Sequence, residues 1–268
     1  VPETPSFFTR IAGDDTALMP TEFAQSRWGP DALNGPAVCS FAARALELEF
    51  SDPAFHPARF TVDLFKSARS RPTTAVTRLV RSGRRIRVAD VEVQQDGVTV
   101  ARATLVLLRK AAPPPGSEWA PPVTFSPPPN APVESAPAPP WVHSDATGWS
   151  RTIADHQNNT RKQTWSTGVP ILPDEPLSPF ARAVHVAENA SLVTNLGTAG
   201  IGYINCDVTV SLSRLPDGPQ IGLEAASHIT ADGISVGTAT LYDLAGPFGT
   251  GMVTAISNAQ AQIDFAND

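Results

Sequence analysis

AAPPPGSEWAPPVTFSPPPNAPVESAPAPP (residues 111–140) holds 12 of the chain's 27 prolines and divides the sequence into two comparable halves. Proline lacks a backbone donor and fixes φ near about −65°, so this tract is predicted to form neither a helix nor an inner strand. It reads as an extended, solvated, semi-rigid spacer. The organisation expected from it is an N-terminal module over residues 1–110, the linker over 111–140, and a C-terminal module over 141–268.

The half before the spacer opens on a turn at Asp31 to Pro36, which feeds the stretch AVCSFAARALELEF. Val38, Phe41, Ala42, Ala45 and Leu46 follow the i, i+3, i+4, i+7, i+8 rule of a helix with one buried face. Beyond Pro53 and Pro57 the period becomes two. Residues 60–68, 73–81, 84–95 and 98–108 read as strands, with Asp96-Gly97 a hairpin signal. The half after the spacer repeats this order: a helix over 180–193 (FARAVHVAENASLV), then strands over 203–214, 220–230, 234–243 and 248–257. Thr61-Val62-Asp63-Leu64 parallels Thr209-Val210-Ser211-Leu212. Nearly equal spacing from these segments to Gly83 and to Gly233 gives those two glycines the same topological position. The similarity of DGVTVARATL (96–105) to DGISVGTATL (232–241) then reflects shared hairpin chemistry rather than equivalent strands.

The class is therefore α+β. A helix lying across an antiparallel meander is the hot-dog arrangement, and two in one chain make a double hot dog. Pairing the exposed edge strand of one meander with its twin removes an aggregation-prone edge. One continuous sheet with two central helices is expected.

Composition narrows the function. The chain has 268 residues, 41% hydrophobic and 17% charged, with a net charge of −6. That balance disfavours nucleic acid as a partner, since phosphate backbones require a basic face. No run of 18 apolar residues is present, so no membrane span is expected. Val1-Pro2-Glu3-Thr4-Pro5 lacks the basic-then-apolar pattern of a secretory signal, and a cytoplasmic protein is the default expectation. Cys39 and Cys206 have no metal or redox spacing and are expected to be buried free thiols. No His/Cys/Asp cluster suggests a metal, and no G-x-S-x-G elbow suggests a serine hydrolase.

WGPDALNGPAVCSFAARALE, FTVDLFKSA, RSGRRIRVADVEVQQDGVTVARATLVLL, YINCDVTVSLSR and DGISVGTATLYDLAGPFG together resemble acyl-CoA thioesterases of the double hot-dog type, similar to medium-chain acyl-CoA thioesterase II. The resemblance implies hydrolysis of an acyl-CoA thioester by direct attack of water, with no cofactor beyond the CoA of the substrate. It also implies a possible homodimer. In that family an aspartate on the second helix holds or activates the water, assisted by a threonine or asparagine entering the next strand and a glutamine on the last strand. Those positions fall here on Asn189, on Asn205, and on Val253 (Thr254 if the register slips by one). An amide can orient water but cannot take its proton, and general-base help is typically worth about 10²–10⁴-fold.

Substrate-binding candidates lie near these positions and elsewhere in the chain. Asn34-Gly35 stands where the family has two glycines near the thioester; the alternative is a plain helix cap. His185, one turn before Asn189, could supply a base or be a core histidine. Glu188, adjoining Asn189 but pointing roughly 100° away around the helix, could also compensate for the missing base, and reads rather as a solvated surface carboxylate. Arg85 and Arg87, on one face of a strand, could meet the phosphates of CoA or form a solvated sheet edge. The functions weighed are a thioesterase and, as the alternative, a catalytically degenerate acyl-CoA or acyl-carrier binding protein of the same fold. A hot-dog hydratase would need an Asp and His pair that the sequence lacks.

Overall fold

The computed structural model describes residues 4–129, 131–134 and 136–267; the reading of Val1 to Glu3 lies outside them. The N-terminal half contains β1 (Phe8–Ile11), β2 (Asp14–Pro20), α1 (Gly35–Phe50), β3 (Phe55–Leu64), β4 (Thr73–Ser82), β5 (Ile86–Gln95) and β6 (Val98–Arg109). The C-terminal half begins with β7 (Trp141–Ser144), β8 (Gly148–Ser150) and β9 (Lys162–Ser166), followed by α2 (Pro179–Glu188) and α3 (Ala190–Asn195). A small hairpin, β10 (Leu196–Gly197) and β11 (Gly200–Ile201), precedes β12 (Tyr203–Asn205), β13 (Asp207–Leu212), β14 (Ile221–Ala231), β15 (Ile234–Asp243) and β16 (Gly246–Ser257).

One antiparallel sheet runs β1-β2-β4-β5-β6-β3-β13-β16-β15-β14-β9-β7-β8, with β12 also on β16. The two meanders join where β3 meets β13. Phe60 faces Val210, Thr61 faces Thr209 and Val62 faces Val208, a register that maps onto itself when the halves are exchanged. The same duplication appears inside each half. Phe55↔Arg109, Pro57↔Leu107 and Thr61↔Thr104 recur as Tyr203↔Ser257, Asn205↔Ala255 and Thr209↔Met252, each displaced by 148 residues. The expected double hot dog is thus the observed fold. Phe60, Val62, Val208 and Val210 are essentially solvent-free at the seam. Each such side chain contributes roughly 1.5–3 kcal/mol by burial.

The turns agree with the spacing argument. Gly83 closes β4 onto β5, and Asp232-Gly233 closes β14 onto β15 in the matching place. Asp96-Gly97 joins β5 to β6 instead. Both Asp-Gly pairs hold positive φ at both residues (51° and 73°; 50° and 75°), the requirement of a two-residue hairpin whose twist suits the flanking strands.

α1 and α2 each start with a side-chain cap three residues before the N–H it accepts from, Asn34 to Ala37 and Ser178 to Ala181. The helices lie antiparallel. Arg44 and Glu47 near the end of α1 meet Glu175 and Ser178 at the start of α2, while Gly35 at the start of α1 meets Glu188 at the end of α2. The predicted single helix over 180–193 is divided at Asn189 (φ −64°, ψ 0°), where α2 ends and α3 begins.

Two expectations are corrected. Cys39 is buried, but Cys206 is exposed, because it interrupts β12 and β13 instead of pointing into the core. Most of the proline tract is exposed and carries no helix or strand among its described residues, yet it is not simply solvated. Phe125 is buried, stacked on Tyr242 at 4.8 Å and beside Trp165 at 5.9 Å. Its ring occupies the space above Gly222, where a Cβ would come within 2.2 Å.

Candidate functional site

The first turn of α1 and the last turn of α2 bring Gly35, Cys39 and Glu188 together, and β12 adds Asn205. The Asn205 amide donates to Glu188 Oε1 at 3.1 Å. That carboxylate lies directly against Gly35. A Cβ at position 35 would fall 1.9 Å from Oε1 and 2.6 Å from Cδ, so only glycine lets the group approach. Glu188 is 6% exposed. Burial pushes its pKa up to about 7, partly opposed by the Asn205 hydrogen bond, which favours the ionised form. Its proximity also adds to the burial that drives the Cys39 thiol upward.

Gly35 has a second role. The N–H of Ala37 is taken by the Asn34 side chain and Pro36 has none, whereas the Gly35 N–H makes no hydrogen bond among the described residues. A free donor at a helix N-terminus can stabilise developing negative charge. A carboxylate titrating near neutrality beside such a donor can exchange a proton with water while a neighbouring oxygen gains charge.

Other predicted residues take different places. Asn34 is wholly engaged as a cap: besides accepting from the Ala37 N–H, it donates to the carbonyls of Phe23 and Gln25 at 2.9 and 3.2 Å. Asn189 is half-buried at the α2–α3 break, where its backbone carbonyl accepts from Val193 at 2.9 Å; the Asn205 amide goes to Glu188. Val253 is fully buried on β16, and a valine there offers no polar group. The neighbouring Thr254 turns its N–H to Asp207.

The geometry locates three further candidates. His185 is 7% exposed, stacked on Phe7 at 5.4 Å, and burial lowers its pKa to about 4. This surrounding is that of the core-histidine alternative. Arg87 bonds Asp52 at 2.8 Å and covers the Phe55 ring at 4.0 Å. Arg85 is exposed beside it at the start of β5. Asp52 follows the C-terminus of α1, so this pair stands about 25 Å along the helix from Gly35. Glu188 is no surface carboxylate: α1 covers it.

Glu188 is the residue that sequence reasoning set aside. Its signal was present, since it is the sole acidic side chain between Pro179 and Asn195 in an otherwise apolar and small-residue stretch.

Comparison with known proteins gives this geometry a context. The acyl-CoA thioesterase N-terminal domain matches residues 24–108, and the acyl-CoA thioesterase C-terminal domain matches residues 109–255. No curated protein sequence matched. Among solved structures, a protein described as a thioesterase II from Thermobifida fusca YX is 17% identical, with 96% of this chain and 98% of that one covered at a TM-score of 0.69. A hot-dog protein of unknown function from Alicyclobacillus acidocaldarius is 16% identical, with 92% and 94% covered at 0.68. The acyl-CoA thioesterase II TesB2 of Mycobacterium marinum is 13% identical, with 83% and 89% covered at 0.58. At such identities these structures speak for the fold alone.

Proposed function

This chain belongs to the acyl-CoA thioesterase family, and from that premise we propose that it hydrolyses acyl-CoA thioesters with Glu188 as the general base. The ionised Glu188 carboxylate takes a proton from water, and the hydroxide oxygen bonds to the thioester carbonyl carbon. The carbonyl oxygen becomes an oxyanion beside the Gly35 N–H. Collapse breaks the C–S bond, and the proton held by Glu188 passes to the leaving thiolate. A carboxylic acid and the CoA thiol result. Asn205 holds the Glu188 carboxylate in place and keeps enough of it ionised near neutral pH.

The supporting observation is one buried carboxylate, raised to about 7, touching Gly35 and bonded to Asn205. Thiol release from a panel of acyl-CoAs tests the reading. Turnover is expected in the native protein, with a loss of about 10²–10⁴-fold in Glu188→Gln. Full turnover in that variant would remove Glu188 from the mechanism.

One observation favours the binding-protein alternative: Val253 leaves no donor at the third family position. Saturable acyl-CoA binding without thiol release would establish it. On the hydrolytic reading the protein acts in fatty acid metabolism in the cytoplasm.

A further inference from the structure

A cavity of about 630 Å³ opens between α3, the β10–β11 hairpin, the middle of β14 and the loop before β9. Lys162, Arg161, Asn195, Tyr203, His228 and Gln262 line it, and no aspartate or glutamate does. This is a basic, amide-rich hollow in a chain of net charge −6.

Lys162 is the decisive residue. It is 2% exposed, and its ammonium donates to the backbone carbonyls of Asn158 (2.7 Å) and Thr160. Lysine has three donors, so one is left over. No carboxylate lies within ion-pair reach of it among the described residues. Asp145 acts on it only from farther away, and burial lowers its pKa. A buried cation without a counter-charge is costly. Arg161, by contrast, is already held by Glu224 at 3.3 Å. Asn195 adds a second vacant donor: it is 6% exposed, its Oδ1 accepts from Ser235 at 2.8 Å, and its Nδ2 has no partner.

One buried amide without a partner and one buried ammonium with a spare N–H and no counter-charge belong to residues of one cavity whose lining holds no carboxylate. We propose that this cavity binds an anionic group, a phosphate or a carboxylate, through Lys162 and Asn195. The elements are shared with the candidate catalytic site, since α3 begins two residues after Glu188 and Tyr203 precedes Asn205 by two on β12. The anion can therefore be part of the same substrate or a separate ligand.

Calorimetry on the full chain tests this with inorganic phosphate, glutarate, CoA and pantetheine. At least one anion should bind, about tenfold or more weaker in Lys162→Gln and in Ala226→Asp. Ala226 is an exposed residue of the cavity wall at a bulge of β14, so its variant reports even if loss of Lys162 impairs folding. CoA binding far better than pantetheine identifies the phosphates of a CoA ester; glutarate binding identifies a carboxylate-bearing ligand; inorganic phosphate binding by itself identifies a free anion. Glu188→Gln should lose turnover and keep anion affinity, which separates this site from the hydrolytic reading. Absence of binding by all three anions, or affinities unchanged in both variants, would overturn the proposal.

Discussion

The two ends of the helix pair are related by the internal duplication and differ in nearly every polar group. Counting from the caps Asn34 and Ser178, Gly35 corresponds to Pro179 and Arg44 to Glu188. The strand offset matches Asn205 to Pro57. One end therefore presents glycine, glutamate and asparagine; the other presents proline, arginine and proline. At that second end Arg44 forms a bidentate pair with Glu175, both bonds 2.7 Å, and Pro179 supplies no N–H for an oxyanion. Backbone register has been retained across the duplication while side-chain chemistry has not. Fold symmetry alone would suggest two sites, whereas the residues provide for one.

Several substitutions would break or sharpen this contrast. The largest effect is expected from Glu188→Gln, with thiol release down about 10²–10⁴-fold. Arg44→Gln at the opposite end should leave turnover within about twofold, provided circular dichroism shows an intact fold. Next is Gly35→Ala, whose methyl would occupy the place of the Glu188 carboxylate. Displacing a catalytic group by about 1 Å costs on the order of 10²-fold in rate, so kcat should fall by about that much. Pro179→Ala should have little effect on kcat.

A smaller change is expected from Asn205→Ala. Its amide lowers the pKa of Glu188 against the effect of burial, so removing it raises that pKa further. Native turnover should rise with pH through about 7 as Glu188 ionises, and in the variant the midpoint should move to higher pH. A pH–rate profile reads both. An unmoved midpoint would mean that another group controls the limb.

Stability gives the last comparison. Folded Glu188 titrates at about 7 against an ordinary 4.5, so between those values the folded state binds more proton than the unfolded one. Stability therefore falls as pH rises through that window, by up to about 3 kcal/mol. His185 has the opposite sign: its pKa, lowered to about 4, makes stability rise with pH between about 4 and 6.5. Glu188→Gln should abolish the first term and raise the melting temperature at pH 8 relative to the native protein. Its advantage should shrink towards pH 4.5.

Much of the architecture was legible because periodicity and turn chemistry are local. The alternation of Phe60 and Val62, the Asp-Gly turns, and the match of 61–64 with 209–212 led to the sheet and its seam. The strands that flank the two meanders, β1, β2 and β7 to β9, carry no comparable signal. They are mostly short, and Asp14-Asp15-Thr16 has no apolar alternation: Asp14 pairs with Ile11 in a local hairpin, and β2 is tied to the meander only through Ala17 and Leu18 on β4. The site was legible only by neighbourhood. Gly35 and Asn205 could be placed from their motifs, but the choice between Glu188 and Asn189 depends on how α2 rolls against α1 and where it breaks. Spacing does not fix that rotation. The contact of Glu188 with a glycine 153 residues earlier does.

The mirrored pairing of β3 with β13 has one more consequence. Were the halves separate, identical chains, any replacement would be made at both ends of the helix pair simultaneously. Joining them through the proline segment makes every change single, so a proline at 57 or 179 can stiffen one pole without touching Asn205 or Gly35. The tether thus supplies inequality as well as a high local concentration of each half for the other.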